Sequence, residues 1–191
     1  MIAPAFTPPN RLLLGPGPSP VAPSVLRALA LPTVGHLDPE LLRAMGECRQ
    51  HLRAIFGTSN AATFAISGTG TSGMEAVLSN LIEPGDGVLV ATHGYFGARI
   101  AEIAARCGGA VTRVDGEWGQ PSDPQRAREA ARGRDIKLVA VVHAETSTGV
   151  RQELAPWSAL ASELGALLCV DAVTSLGCIP IEVDAQRIDG I

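Results

Sequence analysis

The segment Gly68-Thr69-Gly70-Thr71-Ser72-Gly73 sets three glycines at G-x-G-x-x-G spacing with three hydroxyls between them. It follows the apolar run Phe64–Ser67 and opens a helical pattern that stops at Pro84-Gly85. Backbone N–H groups at a helix start lack intrahelical partners, and the positive dipole end adds to their pull on an anion. Thr69, Thr71 and Ser72 would add hydroxyl donors, so the segment reads as a phosphate cradle. The competing reading is a tight turn whose Thr or Ser only caps the helix. A dinucleotide site would also place an acidic residue near the end of the next strand, roughly 20 residues on, to hold a ribose. That strand ends Val90-Ala91-Thr92-His93-Gly94, with no carboxylate.

Asp171 closes an otherwise apolar run, Ala166–Val170. A carboxylate there is partly desolvated and stays ionised only beside a cation or hydrogen-bond donors. It can cap the turn at Ala172-Val173, or it can partner a cationic ring nitrogen. Phe96, just after another strand, can pack in the core or cover the face of such a ring. His93 and His143 also end strands and read as hydrogen-bonded structural histidines. Ser72 sits in Gly70-Thr71-Ser72-Gly73 and not in a G-x-S-x-G elbow, which argues against a hydrolase triad. A phosphate cradle, an aromatic plate and a carboxylate together suit a phosphorylated heteroaromatic cation. Pyridoxal 5'-phosphate (PLP) has that chemistry.

The elements that must position these residues alternate. Leu41, Leu42, Met45, Leu52, Ile55 and Phe56 recur at helical spacing, with Asp38 as cap, Pro39 in the first turn and Gly57 at the end. Then follow apolar runs at 63–67, 87–92, 110–114, 136–145 and 166–171, separated by helical patterns of about a dozen residues. Such alternation predicts βαβ units and a three-layer α/β fold with a mostly parallel sheet buried on both faces. Ligands in these folds bind beyond the carboxyl ends of the strands, where the Gly-rich loop, Phe96, Thr146 and Asp171 all fall.

The 191 residues carry a formal net charge of −4 and no basic run, so neither nucleic acid nor an anionic membrane is an expected partner. The first twenty residues lack the pattern of a secretory signal and read as a Pro- and Gly-rich extended arm. No apolar run approaches the roughly 20 residues of a membrane span. Cys48, Cys107, Cys169 and Cys178 form no C-x-x-C pair, and reduced thiols in a cytoplasmic protein are expected. Among the basic residues only Lys137 is a lysine.

Several separated motifs carry a resemblance: "LLLGPGPSPVAPSVLRAL", "SGTGTSGMEAVLSNLIEPGD", "HGYFGARIAEIAARCG", "VVHAETSTGV" and "LLCVDAVTSLGCIPIEVD", in this order. The chain resembles the class V aminotransferases of PLP fold type I, within the alanine–glyoxylate, serine–pyruvate and serine–glyoxylate group. The resemblance implies that Thr69, Gly70 and Thr71 hold the phosphate of PLP. It implies that Phe96 stacks on the pyridine ring, where the family often has Trp, that Thr146 lies beside the cofactor, and that Asp171 partners the ring nitrogen. It places Gly17 where the N-terminal segment approaches the substrate carboxylate.

Homodimers, small L-amino acids such as serine or alanine, and the acceptors glyoxylate or pyruvate are likewise implied. By the same resemblance the Schiff-base lysine belongs beyond Ile191. Residues 21–191 are then an incomplete large domain after an arm at 1–20, without the C-terminal small domain. Such a chain is expected not to turn over by itself. A lysine-less pseudo-enzyme or dimerisation partner, and a nucleotide-binding oxidoreductase domain, are the alternatives.

Overall fold

A computed structural model of the chain describes residues 6–191. It divides into two compact units, one ending at Leu42 and the other running from Arg43 to Ile191. In the first, residues 6–22 form neither helix nor strand, and the helix α1 (Pro23–Leu29) buries none of its residues. The first five residues of the expected arm lie outside the described residues. Helix α2 (Pro39–Phe56) starts as its sequence signals predict: Asp38 Oδ1 accepts from the Glu40 N–H at 2.8 Å. Gly57 ends it in the left-handed region at φ 60°. Its apolar stripe, however, has no fully buried residue.

The second unit holds the sheet. Its strands are β1 (Gly87–Thr92), β2 (Ala110–Asp115), β3 (Ile136–Val142) and β6 (Leu167–Asp171), all parallel in the order β2-β1-β3-β6. A short antiparallel pair, β4 (Ala144–Glu145) and β5 (Val150–Arg151), extends from the end of β3. Helices α3 (Gly70–Leu81) and α4 (Tyr95–Arg106) cover one face; α5 (Pro124–Ala131) and α6 (Ala155–Leu164) cover the other.

Alternation along the strands builds the two cores. Val88, Val90, Leu138, Ala140 and Cys169 pack with Leu78, Ile100 and Ile103 from α3 and α4. Leu89, Ala91, Val139, Val141, Leu168 and Val170 face the other way, onto Ala127, Trp157 and Leu160. Both faces of the central strands are therefore dry, which is why they read as continuous apolar runs. The expected three-layer, mostly parallel α/β architecture is present.

One expected strand is not. Residues 63–67 lie in a segment with no ladder, and Phe64 and Ile66 are exposed. The run has the length and residue types of a buried strand. A strand also needs a neighbour for its N–H and C=O groups, and none lies alongside among the described residues.

Candidate functional site

The carboxyl ends of β3 and β6 and the first turns of α3 and α4 surround a cavity of about 160 Å³. Six residues singled out in the sequence converge on it: Thr69, Gly70, Thr71, Phe96, Thr146 and Asp171. Val173 and Thr174, to which the sequence alone gives no role, complete the wall beyond β6. Gly17 is not among the lining residues; it belongs to the first unit, at a cis Gly17–Pro18 peptide. A larger cleft of about 550 Å³ runs past Phe56, Phe64, Val77 and Ile188. Its carboxylate, Asp189, is engaged on the Leu168 N–H at 2.8 Å. The smaller cavity is the chemical one, because hydroxyls, a helix start and a half-buried carboxylate meet there.

The Gly-rich loop enters α3 through Thr69 in extended conformation, and the Thr69 side chain makes no capping bond. Helix geometry leaves the N–H groups of the first turn without backbone partners, so this end stays open to an anion. The turn that merely caps itself is thus not what forms. A Cβ on Gly70 would lie 2.9 Å from Val173 Cγ2, so a side chain here would intrude on the cavity wall.

Asp171 sits across the cavity. Its Oδ1 accepts from the Val173 N–H at 3.0 Å, so it does cap the turn. Its second oxygen has no hydrogen-bond partner among the described residues. Burial pushes its carboxyl above the usual carboxylate range; the Val173 N–H opposes this and the nearby Glu145 adds to it. A cation against that free oxygen would reverse the shift. The turn is held from behind: the His143 N–H donates to the Asp171 carbonyl at 2.9 Å, and His143 Nδ1 pairs with Ser175 Oγ at 2.9 Å. Thr146 and Thr174 hydrogen-bond through their hydroxyls, fixing two walls to each other.

The start of α4, which carries Phe96, is closed and not open. Gly94 offers no side chain, so the cap comes from elsewhere in the sequence. Glu145 Oε2 accepts from the Phe96 and Gly97 N–H groups at 3.1 Å each, and Ser147 Oγ accepts from the Tyr95 N–H at 2.9 Å. Glu145 is 1% exposed and drew no attention in the sequence. The signal was available: it is a carboxylate on an apolar run, the same feature that marks Asp171.

The two strand-end histidines each pair through Nδ1 with a serine hydroxyl. His93 is fully buried with Nδ1 3.2 Å from Ser122 Oγ, and burial lowers its pKa. His143 is lowered by burial and by Arg151. Lys137 is exposed at the start of β3, paired with Asp135 at 3.1 Å, at the strand end opposite the cavity. No group of three His, Cys, Asp or Glu side chains suited to a metal ion occurs among the described residues. No helix among them is long and apolar enough to cross a membrane.

The arrangement can seat a phosphate on the open start of α3 and a flat cationic ring between Phe96 and the Asp171–Val173 turn. Known proteins share the fold that builds it. Mouse alanine–glyoxylate aminotransferase is 44% identical over 181 residues, covering 95% of this chain and 44% of its own length. The (S)-ureidoglycine–glyoxylate transaminase of Bacillus subtilis is 40% identical, with the same coverage of 95% and 44%. The crystal structure of an alanine–glyoxylate aminotransferase from Nostoc sp. superposes with a TM-score of 0.94 at 46% identity, covering 99% of this chain and 50% of that one.

The chain thus spans less than half the length of these curated relatives. Class V aminotransferases use pyridoxal 5'-phosphate. Residues 18–191 match the family Aminotransferase class-V, and the chain belongs to that family.

Proposed function

We propose that this chain is the cofactor-cradling part of an aminotransferase that moves an amino group from a small L-amino acid, alanine or serine, to glyoxylate or pyruvate. The observation that carries the reading is the convergence of the uncapped α3 start, Phe96 and the half-engaged Asp171 on one cavity. The residues fit PLP. The first-turn N–H groups of α3 and the hydroxyls of Thr69 and Thr71 would hold its phosphate, and Gly70 leaves the space. Phe96 would cover one ring face, with the Thr146 hydroxyl beside it. Bound there, PLP supplies an electron sink for the charge left when an amino acid loses its Cα proton.

Asp171 would keep a proton on the ring nitrogen, since its partly desolvated carboxylate, with one oxygen unpaired, is stabilised by a facing cation. Phe96 and Val173 would keep water from the ring faces. No lysine among these residues reaches the cavity, because Lys137 lies at the opposite end of the sheet. In this reading residues 1–191 by themselves bind cofactor without turning over. Substrate approach by Gly17, assembly as a homodimer and a cytoplasmic location belong to the same proposal. Exposed Leu12, Leu14, Leu29 and Leu31 support assembly, and four free cysteines support the location.

Activity is tested by joining residues 1–191 to the remaining length of the mouse relative and supplying L-alanine or L-serine with glyoxylate or pyruvate. The joined chain should transfer the amine, and residues 1–191 with PLP should not. A joined chain that binds PLP yet accepts none of these pairs contradicts the substrate proposal.

A further inference from the structure

We propose that Glu145 is the positioning residue for Phe96, gripping the first turn of α4 so that the aromatic ring is held at the cofactor face. The inference rests on the reading of the cavity as a PLP site.

Its basis is which groups Glu145 joins. Oε2 takes the Phe96 and Gly97 N–H groups, both at 3.1 Å, while Oε1 takes the Ser147 N–H at 3.2 Å and the Ser147 hydroxyl at 2.6 Å. One carboxylate therefore fastens the start of α4 to the chain that follows β3. Both of its neighbours in sequence, Ala144 and Thr146, line the cavity, as does Phe96 itself. Tyr95 braces Phe96 edge-on, with ring centroids 5.3 Å apart.

A Ser or Asp at position 94 could cap α4 locally, and these are the usual capping residues. Such a cap would satisfy the helix but leave the two walls independent. The structure instead keeps a glycine there, where a Cβ would stand 2.3 Å from Glu145 Cγ and 2.7 Å from Ser147 Oγ. Gly94 is extended at φ 176°, a conformation open to any residue, so it is space and not backbone freedom that the position requires. The space is filled by the Glu145 carboxylate, which reaches the Phe96 and Gly97 N–H groups from 49 and 48 residues away. The negative charge also complements the helix dipole at that end.

The test measures binding of PLP and, separately, of inorganic phosphate to the 191-residue chain and its Glu145→Gln, Phe96→Ala and double variants. Glu145→Gln keeps the size but puts an amide N–H₂ against backbone or hydroxyl donors, releasing one wall. It should weaken PLP about tenfold, within the range of coupling energies for contacting residues. Inorganic phosphate, which does not meet Phe96, should bind within about twofold of wild type. In the Phe96→Ala background the Glu145→Gln change should cost less than about twofold, because the ring it positions is gone.

Should Glu145→Gln not fold, Ser147→Ala removes a hydrogen bond to the same carboxylate from an exposed residue. It should weaken PLP about threefold, again only when Phe96 is present. Equal PLP affinity in the variant and wild type overturns the inference. So does an equal loss for phosphate, or an undiminished loss without Phe96. A wild-type chain that binds no PLP overturns the cofactor reading first, and this inference with it.

Discussion

Two helices begin on the same rim of the sheet, and the molecule treats their starts in opposite ways. At α4 every hydrogen-bonding need is met from within: Glu145 and Ser147 take the N–H groups of Tyr95, Phe96 and Gly97, and a glycine clears the space. At α3 the capping residue Thr69 makes no side-chain bond, and Thr69, Gly70 and Thr71 face a cavity. Identical backbone chemistry is filled with an internal carboxylate in one case and left for an external anion in the other. The filled start gives a rigid aromatic wall; the open one gives an anion seat. A site for a phosphorylated aromatic ring needs both.

The largest way to break this contrast is at Asp171, which faces both starts across the cavity. Asp171→Asn keeps the acceptor for the Val173 N–H and removes the charge. PLP affinity should fall by about tenfold to a hundredfold, the worth of a hydrogen bond to a charged group. The ligand-free chain should move the other way. Burial raises the folded-state pKa of Asp171 above its unfolded value. Its stabilising contribution is therefore present below the ordinary carboxylate range and lost as pH rises through the raised value. At neutral pH the Asn variant should melt higher than wild type, and at acid pH the difference should vanish. Thermal melts at the two pH values check the sign.

Next in size is Gly94→Ala, which forces a methyl into the filled start of α4. The Cβ would lie 2.3 Å and 2.5 Å from Glu145 Cγ and Cδ. Overpacking of this kind should cost about 1–3 kcal/mol in urea unfolding. The smallest test sharpens the contrast with a third helix, α5, whose cap is local. There Asp123 accepts from the Gln125 N–H at 2.8 Å. Asp123→Ala should cost about 1 kcal/mol and leave PLP binding unchanged. Thr69→Ala should do the reverse, with stability within about 0.5 kcal/mol of wild type and PLP several-fold weaker. If Thr69→Ala destabilises the chain as Asp123→Ala does, the start of α3 is an ordinary cap.

Much of this was legible in the sequence because the signals are local. The apolar runs that became β1, β3 and β6 needed no knowledge of their neighbours, and Asp38 and Gly57 mark helix ends by residue type alone; Gly57 takes φ 60°. The Gly-rich loop, Phe96, Thr146 and Asp171 were placed on one rim by topology. What escaped depends on pairing at long range. Residues 63–67 look like a strand, but a ladder is a property of two segments. Glu145 looked like the polar end of β3 until its partners, 48 and 49 residues away, could be seen. A charged residue on an apolar run deserves the same question at every occurrence: what does it face?

The central claim is that the open start of α3 and the free face of Asp171 together form a PLP site. Equilibrium dialysis of the 191-residue chain against PLP, with inorganic phosphate as competitor and Gly70→Val as control, tests it most directly. The account predicts saturable binding of one PLP per chain, displaced by phosphate and lost when a valine fills the cradle against Val173. Binding that does not saturate, or that ignores both phosphate and Gly70→Val, would contradict it.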